Sequence, residues 1–379
     1  MIQIEMKSVG IITIHKINNY GSVLQAYALQ RVCVELGYRT EIIDYDFPNS
    51  FHLNNKYSTT SDAQPNEPQW IKALFAGALV RQHRGIRSFV ENYQRLSAEK
   101  YHQPGDFTTS PPSYDIYVTG SDQLWSPRHC NGDAAFMLYF APDNALKISY
   151  AASIGSDAIP DELKKVYGKL LSRYGHISVR EKSGVAIVRE LTGRDAELVL
   201  DPTLLLDIGE WDSVAVPERI VKKKYILCYF LNYTFNAFPY VDDLAKDIQR
   251  QTGYEIVRVS RPPHKLTLNK TTYRVGASPE EFLALVRDAE IVLTTSFHGT
   301  AFAVNYGKPV FSLVQDRDAT DSRQISLMQS LGLERQILTI QDKFPMASDA
   351  YYDVAKEQTI LGKLRLDSKK YLENALKGE

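Results

Sequence analysis

Three ionisable residues of the sequence lie where parallel-sheet proteins bind anions and transfer protons. Arg180 lies between a strand pattern and a helical pattern, where its guanidinium can bind a carboxylate or phosphate through two hydrogen bonds. Asp122 follows the strand pattern at 115–119, where a carboxylate can orient a substrate hydroxyl or accept its proton. His298 follows the apolar run at 291–293, beside a predicted helix N-terminus that favours a phosphate.

The neighbours of these residues have side chains that suit a binding site. They are Ser121, Gln123 and Trp125 beside the aspartate, Ser296, Phe297, Gly299 and Thr300 beside the histidine, and a separate turn of Asn19, Tyr20, Gly21 and Ser22. Gly21 permits a close approach to the backbone, and Ser22 can cap the helix that follows. Trp125 and Gln123 suit stacking on a sugar and hydrogen bonding to its hydroxyls.

Each motif also has a purely structural interpretation. Asp122 can cap a helix, and Arg180 can form an ion pair with Glu181 or another nearby acid. His298 can be a turn residue whose hydrogen bonds are satisfied locally, and the turn before Ser22 can be an ordinary strand-to-helix connection. Asp201, which precedes a proline, is interpreted as a structural residue that ties a strand to the following segment.

The elements that must position these residues follow an alternating strand and helix pattern. A strand pattern at 8–14, a helical pattern at 22–37 and a second strand pattern at 39–45 form a β-α-β start. This start predicts a parallel, doubly wound sheet, because such crossovers are right-handed and join parallel strands. In these sheets ligands bind beyond the carboxyl ends of the strands, which is where the motifs lie.

Length and periodicity predict two Rossmann-like α/β lobes with the active site in the cleft between them. The predicted boundaries are a first lobe at 1–206 with a helical insertion at about 47–98, a linker at 207–223, a second lobe at 224–347, and a C-terminal helical segment at 348–379. We expect the last segment to pack back across the lobes.

Composition excludes several classes of function. The formal net charge is −1 and no block of like charge is present, so neither a nucleic-acid partner nor a membrane-surface partner is predicted. The sequence shows no signal-peptide pattern and no apolar stretch near the roughly 20 residues that span a bilayer, which predicts a cytoplasmic protein. Cys33, Cys130 and Cys228 form no metal-binding pattern, so we predict no metal.

The motifs together resemble those of the polysaccharide pyruvyl transferase family. The resemblance extends from about Val9 to Leu333, and its strongest parts are Asn19-Tyr20-Gly21-Ser22, Gly120-Ser121-Asp122-Gln123-Leu124-Trp125, Ser178-Val179-Arg180-Glu181 with Asp201-Pro202-Thr203, and Ser296-Phe297-His298-Gly299. It implies a two-lobed glycosyltransferase-B-like fold. It also implies an enzyme that transfers pyruvate from phosphoenolpyruvate to a sugar as a cyclic ketal, with neither nucleotide nor metal cofactor.

The resemblance assigns roles to individual residues. Arg180 would bind the donor's carboxylate or phosphate, His298 would protonate the enol carbon or assist phosphate departure, and Asp122 would act on the acceptor hydroxyl. The donor side would be the second lobe, with Ser296, Phe297, Gly299, Thr300 and Arg323 added to Arg180 and His298. The acceptor side would be the first lobe, with Asn19, Tyr20, Gly21, Ser121, Gln123 and Trp125.

One position departs from the family pattern. Several members carry an arginine two residues before this histidine, and here that residue is Ser296. Lys308, Arg317 and Arg323 are candidate replacements. We favour Arg323, because it precedes the helical pattern at 324–331.

Two other functions remain open from the sequence. One is a nucleotide-sugar glycosyltransferase of the same fold, although 254–264 contains no carboxylate after Glu255 to bind a ribose. The other is a non-catalytic protein that binds sugar or phosphate. Expected acceptors of a pyruvyl transferase include lipid-linked precursors of capsular polysaccharide or exopolysaccharide. We expect the segment 47–98 to help shape the acceptor side of the cleft. Such acceptors would bring the protein near the inner membrane surface without insertion; the oligomeric state is not predicted.

Overall fold

Two parallel β-sheets organise the chain, and the computed structural model describes them over residues 6–58, 68–231, 235–263, 271–319 and 322–379. The first sheet has the strand order β3-β2-β1-β4-β5 and the second has the order β10-β9-β8-β11-β12-β13. The described strands are β1 (Ser8–Ile12), β2 (Arg39–Tyr45), β3 (Leu96–Tyr101), β4 (Ile116–Thr119), β5 (Leu146–Ser149), β6 (Ser178–Val179), β7 (Glu197–Leu198), β8 (Tyr225–Tyr229), β9 (Glu255–Val259), β10 (Thr271–Arg274), β11 (Ile291–Thr294), β12 (Val310–Leu313) and β13 (Ile337–Leu338).

Helices connect the strands, as the parallel pairing requires. The described α-helices are α1 (Tyr20–Glu35), α2 (Ser50–Leu53), α3 (Gln69–Leu74), α4 (Ala76–Tyr93), α5 (Asp106–Thr109), α6 (Pro127–Cys130), α7 (Asp161–Leu171), α8 (Lys182–Thr192), α9 (Ile208–Asp212), α10 (Tyr240–Thr252), α11 (Pro279–Arg287), α12 (Phe297–Asn305), α13 (Arg323–Leu331) and α14 (Val354–Lys377). Within the described parts of the chain, no helix is both long enough and apolar enough to cross a membrane.

A small two-stranded sheet extends the first lobe. Strands β6 and β7 pair with each other, and single bridges join Ile148 to His176 and Ala152 to Val179. This extension places the end of β6 beside the ends of β4 and β5. The residues that follow these strands, including Asp122 and Arg180, therefore lie close together in space.

Both faces of each sheet are covered by apolar side chains. All five residues of β1 and all five of β8 are buried, as expected for parallel strands between helical layers. One apolar cluster contains Val9 and Ile11 of the first sheet as well as Leu227 and Val292 of the second. The two lobes therefore share a continuous hydrophobic core.

Polar contacts also join the lobes. The hydroxyl of Tyr20 donates to the carbonyl of Ala277 (2.8 Å), and Gln82 of α4 donates to the carbonyl of Ser260 (3.2 Å). Tyr20 stacks on Phe282, with 4.6 Å between the ring centroids. Helix α4 thus braces the second lobe from within the predicted insertion.

Helix α14 crosses from the second lobe to the first. Near its start, Gln358 donates to the carbonyl of Val304 (2.9 Å). Near its end, Ser368 accepts a hydrogen bond from the amide of Leu200 (3.0 Å), and Tyr371 donates to the carbonyl of Ser149 (3.2 Å).

The structure confirms two parallel-sheet lobes and corrects some elements. The helical pattern expected to extend to residue 98 ends at Tyr93, and Leu96–Tyr101 instead forms the edge strand β3. Asn19, not Ser22, caps α1, since its side chain accepts from the amide of Gly21. The segment 207–223 contains a short helix, α9, whose capping box joins Asp207 and Glu210.

Candidate active site

A polar cavity of about 490 Å³ lies between the carboxyl ends of the two sheets. Its lining includes Asn19, Asp122 and Gln123 from the first lobe and Ser296, Phe297, His298 and Arg323 from the second. The structure therefore brings residues of three sequence motifs, together with Arg323, to the wall of one cavity.

Asp122 occupies a tight turn after β4. Its φ of 83° lies in the left-handed region, which non-glycine residues adopt rarely and which marks local strain. The carboxylate accepts hydrogen bonds from the Ser22 hydroxyl (2.5 Å) and the Gln123 amide (2.9 Å). Burial disfavours ionisation of this carboxyl, but Arg180, His298 and Ser22 lower its pKa below the usual range. Asp122 is therefore an ionised hydrogen-bond acceptor at neutral pH, and no capping role is needed to explain it.

Arg180 and Asp201 form a buried ion pair behind the cavity. A guanidinium nitrogen of Arg180 lies 2.6 Å from an oxygen of Asp201 and another lies 3.4 Å from Asp122. Ser121 donates to Asp201 (2.8 Å), and the Thr203 amide donates to its other oxygen (3.0 Å). Burial alone would raise the pKa of the Asp201 carboxyl, but His298 and Arg180 hold it well below its usual range.

The position of Arg180 differs from the predicted donor clamp. Its side chain is 1% exposed and is absent from the cavity lining; it packs over the Phe297 ring at 4.7 Å. The acids that it contacts are Asp122 and Asp201, whereas a carboxylate oxygen of Glu181 accepts from the Ile154 amide (2.7 Å). Arg180 thus holds the two carboxylates in place and does not reach the cavity directly.

His298 lies in the first turn of α12, at the interface of the lobes. Ser296 caps this helix by accepting from the Gly299 amide (3.3 Å). The imidazole packs directly on Gly21, where a Cβ atom would overlap the ring. Its Nε2 lies 3.7 Å from Asp201 and has no hydrogen-bond partner among the described residues. Because His298 lines the cavity, this unpartnered nitrogen is a candidate to bind a ligand.

Several predicted binding residues are buried away from the cavity. Trp125 is fully buried and its indole nitrogen donates to the Phe136 carbonyl (3.1 Å), so it has no face on which a sugar can stack. Tyr20 is also buried, and its hydroxyl joins the lobes. Ser121 is buried too, and its hydroxyl donates to Asp201. Gly21 contacts His298 instead of an acceptor.

The two residues after His298 face the protein interior. A Cβ at Gly299 would overlap Thr294, and the Thr300 hydroxyl lies 2.8 Å from that of Ser312. Glycine at position 299 therefore allows α12 to pack against β11. Neither residue lines the cavity, so the structure does not place them where the predicted donor contacts would be made.

Arg323 lines the cavity, whereas the other two candidate replacements do not. Arg317 binds Asp342 (2.7 Å) on the surface. Lys308 lies near Asp288 and Glu290, and burial lowers its pKa.

Sequence reasoning missed Arg128 and His129 as cavity residues. They lie on the short helix α6, which follows the Gly120–Trp125 motif. Their only signal was the proximity of two basic side chains to that motif.

The three cysteines are buried, and the described residues form no metal-binding group. Burial raises the pKa of the Cys33 and Cys228 thiols to about 12, and Cys130 is also buried. Within the described ranges, no group of three or more His, Cys, Asp or Glu side chains could hold a metal ion.

Comparison with solved structures supports the glycosyltransferase-B-like fold. A protein from Listeria monocytogenes, provisionally assigned as a UDP-N-acetylglucosamine 2-epimerase, is 9% identical with a TM-score of 0.52, over 98% of this chain and 91% of that chain. MnaA from S. aureus, solved with UDP, is 10% identical with a TM-score of 0.50, over 96% and 97% of the respective chains. Identities this low show a shared fold alone.

Comparison with sequences is more specific. A search of curated proteins finds no match to this chain. The family profile described as polysaccharide pyruvyl transferase matches residues 19–317, which include all the cavity residues named above except Arg323. Since this match covers most of the chain, the protein belongs to the polysaccharide pyruvyl transferase family.

Proposed function

We propose that the protein transfers pyruvate from phosphoenolpyruvate to two hydroxyls of a sugar in a polysaccharide precursor, forming a cyclic ketal and inorganic phosphate. The observation that carries this proposal is that His298 and Asp122, from opposite lobes, face one cavity. A donor between these groups would have a proton donor on one side and a hydroxyl-orienting carboxylate on the other.

His298 supports the first step, which is protonation of the enol carbon of the donor. The unpartnered Nε2 can deliver a proton, and the ionised Asp201 at 3.7 Å can stabilise the imidazolium. Protonation converts the CH2 group of the donor into a methyl group and makes the adjacent carbon electrophilic. Asp201 is a positioning residue in this scheme, because it acts through His298.

Asp122 supports the addition of the acceptor. Its carboxylate would accept a hydrogen bond from the first sugar hydroxyl and then its proton, as the oxygen bonds to the electrophilic carbon. The carbon–oxygen bond to phosphate then breaks, and the second hydroxyl closes the ketal. Asn19 and Gln123 line the same wall and supply amide groups for the sugar. The two hydroxyl protons balance the new methyl hydrogen and the proton on the released phosphate.

The location of the acceptor completes the proposal. We propose that the acceptor is a lipid-linked sugar of a capsular polysaccharide or exopolysaccharide and that the protein works in the cytoplasm, near the membrane surface. From the segment expected to shape the acceptor side, Asn55 contributes indirectly, since its side chain donates to the carbonyls of Pro127 and Arg128, and Arg128 lines the cavity. The reaction needs neither nucleotide nor metal.

Calorimetric titration tests the donor class. We expect saturable binding of phosphoenolpyruvate, no binding of uridine or guanosine diphosphate sugars, and phosphate release when a suitable sugar acceptor is added. His298→Gln should retain the fold and lose turnover by about 100-fold or more. His83→Gln is the matched control, because His83 is exposed on α4 and does not line the cavity.

Two results would contradict the proposal. Binding of a nucleotide sugar in place of phosphoenolpyruvate would indicate a glycosyltransferase. Binding of phosphoenolpyruvate without turnover on a broad panel of sugars would indicate a non-catalytic binding protein.

A further inference from the structure

Three nitrogen-rich side chains from both lobes converge on the cavity. Arg128 and His129 extend from α6 of the first lobe, and Arg323 is the first residue of α13 in the second. All three line the cavity, whereas the wall before His298 is formed by the uncharged Thr295, Ser296 and Phe297. A multiply charged donor therefore meets arginines on two other elements, one from each side of the cleft.

The backbone that carries Arg128 is held firmly. The Asn55 side chain donates to the carbonyls of Pro127 (2.9 Å) and Arg128 (2.8 Å). The amide of Cys130 closes the turn by donating to the carbonyl of Ser126 (2.8 Å). A binding group on a fixed backbone loses less conformational freedom when its ligand arrives.

Arg323 lies where a negative ligand is favoured. It occupies the first turn of α13, and the N-cap Ser322 accepts from the Ile325 amide (3.3 Å). The positive end of the helix dipole disfavours a cation there and favours an anion. The guanidinium also lies 5.8 Å from the Phe297 ring centroid, on the side of the cavity that contains His298.

His129 lines the same cavity as the two arginines and is influenced by their charges. Burial, together with Arg323 and Arg128, lowers the pKa of its imidazole to about 4 against the opposing effect of Asp122. His129 is therefore neutral at pH 7 and can donate one hydrogen bond. The cavity also contains Asp157, Asp316 and Asp318. The basic side chains that could offset these acids for an anionic ligand are Arg128 and Arg323.

We propose that Arg128 and Arg323 together bind the phosphate group of the donor across the cleft, with His129 as a neutral hydrogen-bond donor. The identity of the donor rests on the proposed function. Two guanidinium groups match the charge and the bidentate geometry of a phosphate dianion. The arginine that several family members carry two residues before this histidine would thus be replaced here by one arginine from each lobe.

Titration with inorganic phosphate and with phosphoenolpyruvate tests this site. We expect Arg128→Gln and Arg323→Gln each to weaken both ligands by about 10- to 100-fold, as for loss of a charge-assisted hydrogen bond. Arg128→Lys and Arg323→Lys should retain part of the affinity. In turnover, Arg128→Gln should raise the KM for phosphoenolpyruvate more than it lowers kcat.

Matched controls are available in both lobes. Arg317→Gln and Arg87→Gln remove surface arginines that pair with Asp342 and Glu91 respectively, and both should bind phosphate as the wild type does. Circular dichroism and the melting temperature establish that each variant is folded. If a glutamine variant does not fold, the lysine variant at the same position is used for the binding comparison.

The outcomes separate this inference from the proposed function. Unchanged affinity for both ligands in the arginine variants would overturn the inference, and turnover with phosphoenolpyruvate would still support the function. A wild-type protein that binds neither ligand would also overturn it. Arginine-dependent binding of phosphate without binding of phosphoenolpyruvate would support the anion site and contradict the proposed donor.

Discussion

The contact between Gly21 and His298 shows how one missing side chain can shape this site. The imidazole occupies the space that a Cβ at position 21 would fill, and His298 lines the cavity. Gly21 therefore makes room for the imidazole of His298 and helps to position it. Its negative φ means that geometry alone does not require glycine; the close approach of His298 does.

Gly21→Ala should displace the imidazole and reduce kcat by about 100-fold, because a small misplacement of a reacting group is costly. Gly362→Ala is the matched control, since Gly362 also lies in a helix and a Cβ there would meet open space. That control should keep its activity and gain up to about 1 kcal/mol of stability. Steady-state kinetics and urea unfolding measure both effects, and an active Gly21→Ala would contradict the positioning role.

The sequence predicted the main chemical groups of the site better than their orientation. Asp122, His298 and Arg323 line the cavity, because residue type and position after a strand or before a helix indicate such placement. Trp125 was misassigned because an aromatic residue beside a motif looks the same in a sequence whether it faces a ligand or the core. Arg128 was missed because its placement depends on contacts with Asn55, which is distant in the chain.

Among the elements, α14 carries an unusual buried acid. Glu357 is 1% exposed, and Gln358 donates to one of its oxygens (2.9 Å) while the other has no partner among the described residues. Burial raises the pKa of this carboxyl to about 7, against smaller opposing effects of Gln358 and Arg365. The folded protein therefore holds this proton more tightly than the unfolded chain does.

This raised pKa predicts a pH-dependent stability. The contribution of neutral Glu357 is fully present below the unfolded pKa near 4.5 and is lost as pH rises through about 7. The free energy of unfolding of Glu357→Gln minus that of the wild type should be larger at pH 8 than at pH 5, by on the order of 2–3 kcal/mol. Urea unfolding at both pH values measures this difference, with Glu373→Gln on the same helix as the control. A difference that does not change with pH would contradict the prediction.

The edge strand β3 shows where element prediction fails. Leu96–Tyr101 has three consecutive exposed residues, Ala98, Glu99 and Lys100, and so lacks the apolar run that marks the central strands. Its charged composition continues that of α4, and only pairing with β2 separates the two elements. The strand β2 was predicted with its observed bounds, because its buried apolar residues form a recognisable strand pattern.

At the scale of the whole molecule, the lobes are joined by a core instead of a simple hinge. Phe282 of the second lobe stacks on Tyr20 of the first and also contacts Tyr229 and Phe302. Apolar side chains from both sheets belong to the same cluster. The two sheets should therefore lose their packing together.

Calorimetry should show one unfolding transition for both lobes. Phe282→Ala should lower its midpoint, since such truncations cost about 3–5 kcal/mol, while leaving a single transition. Two separate transitions, with only one of them shifted by the substitution, would show that the lobes are independent.

The shared core also limits how this fold can be recombined. A chimera joined within 207–223 would take Val9 and Ile11 from one parent and Leu227 and Val292 from another, although these side chains belong to one packed cluster. Helix α14 would come from the second parent but would have to pack against the first lobe of the other parent, because it contacts both lobes. Unlike a modular pair of domains, the halves of this enzyme must therefore be inherited and engineered together.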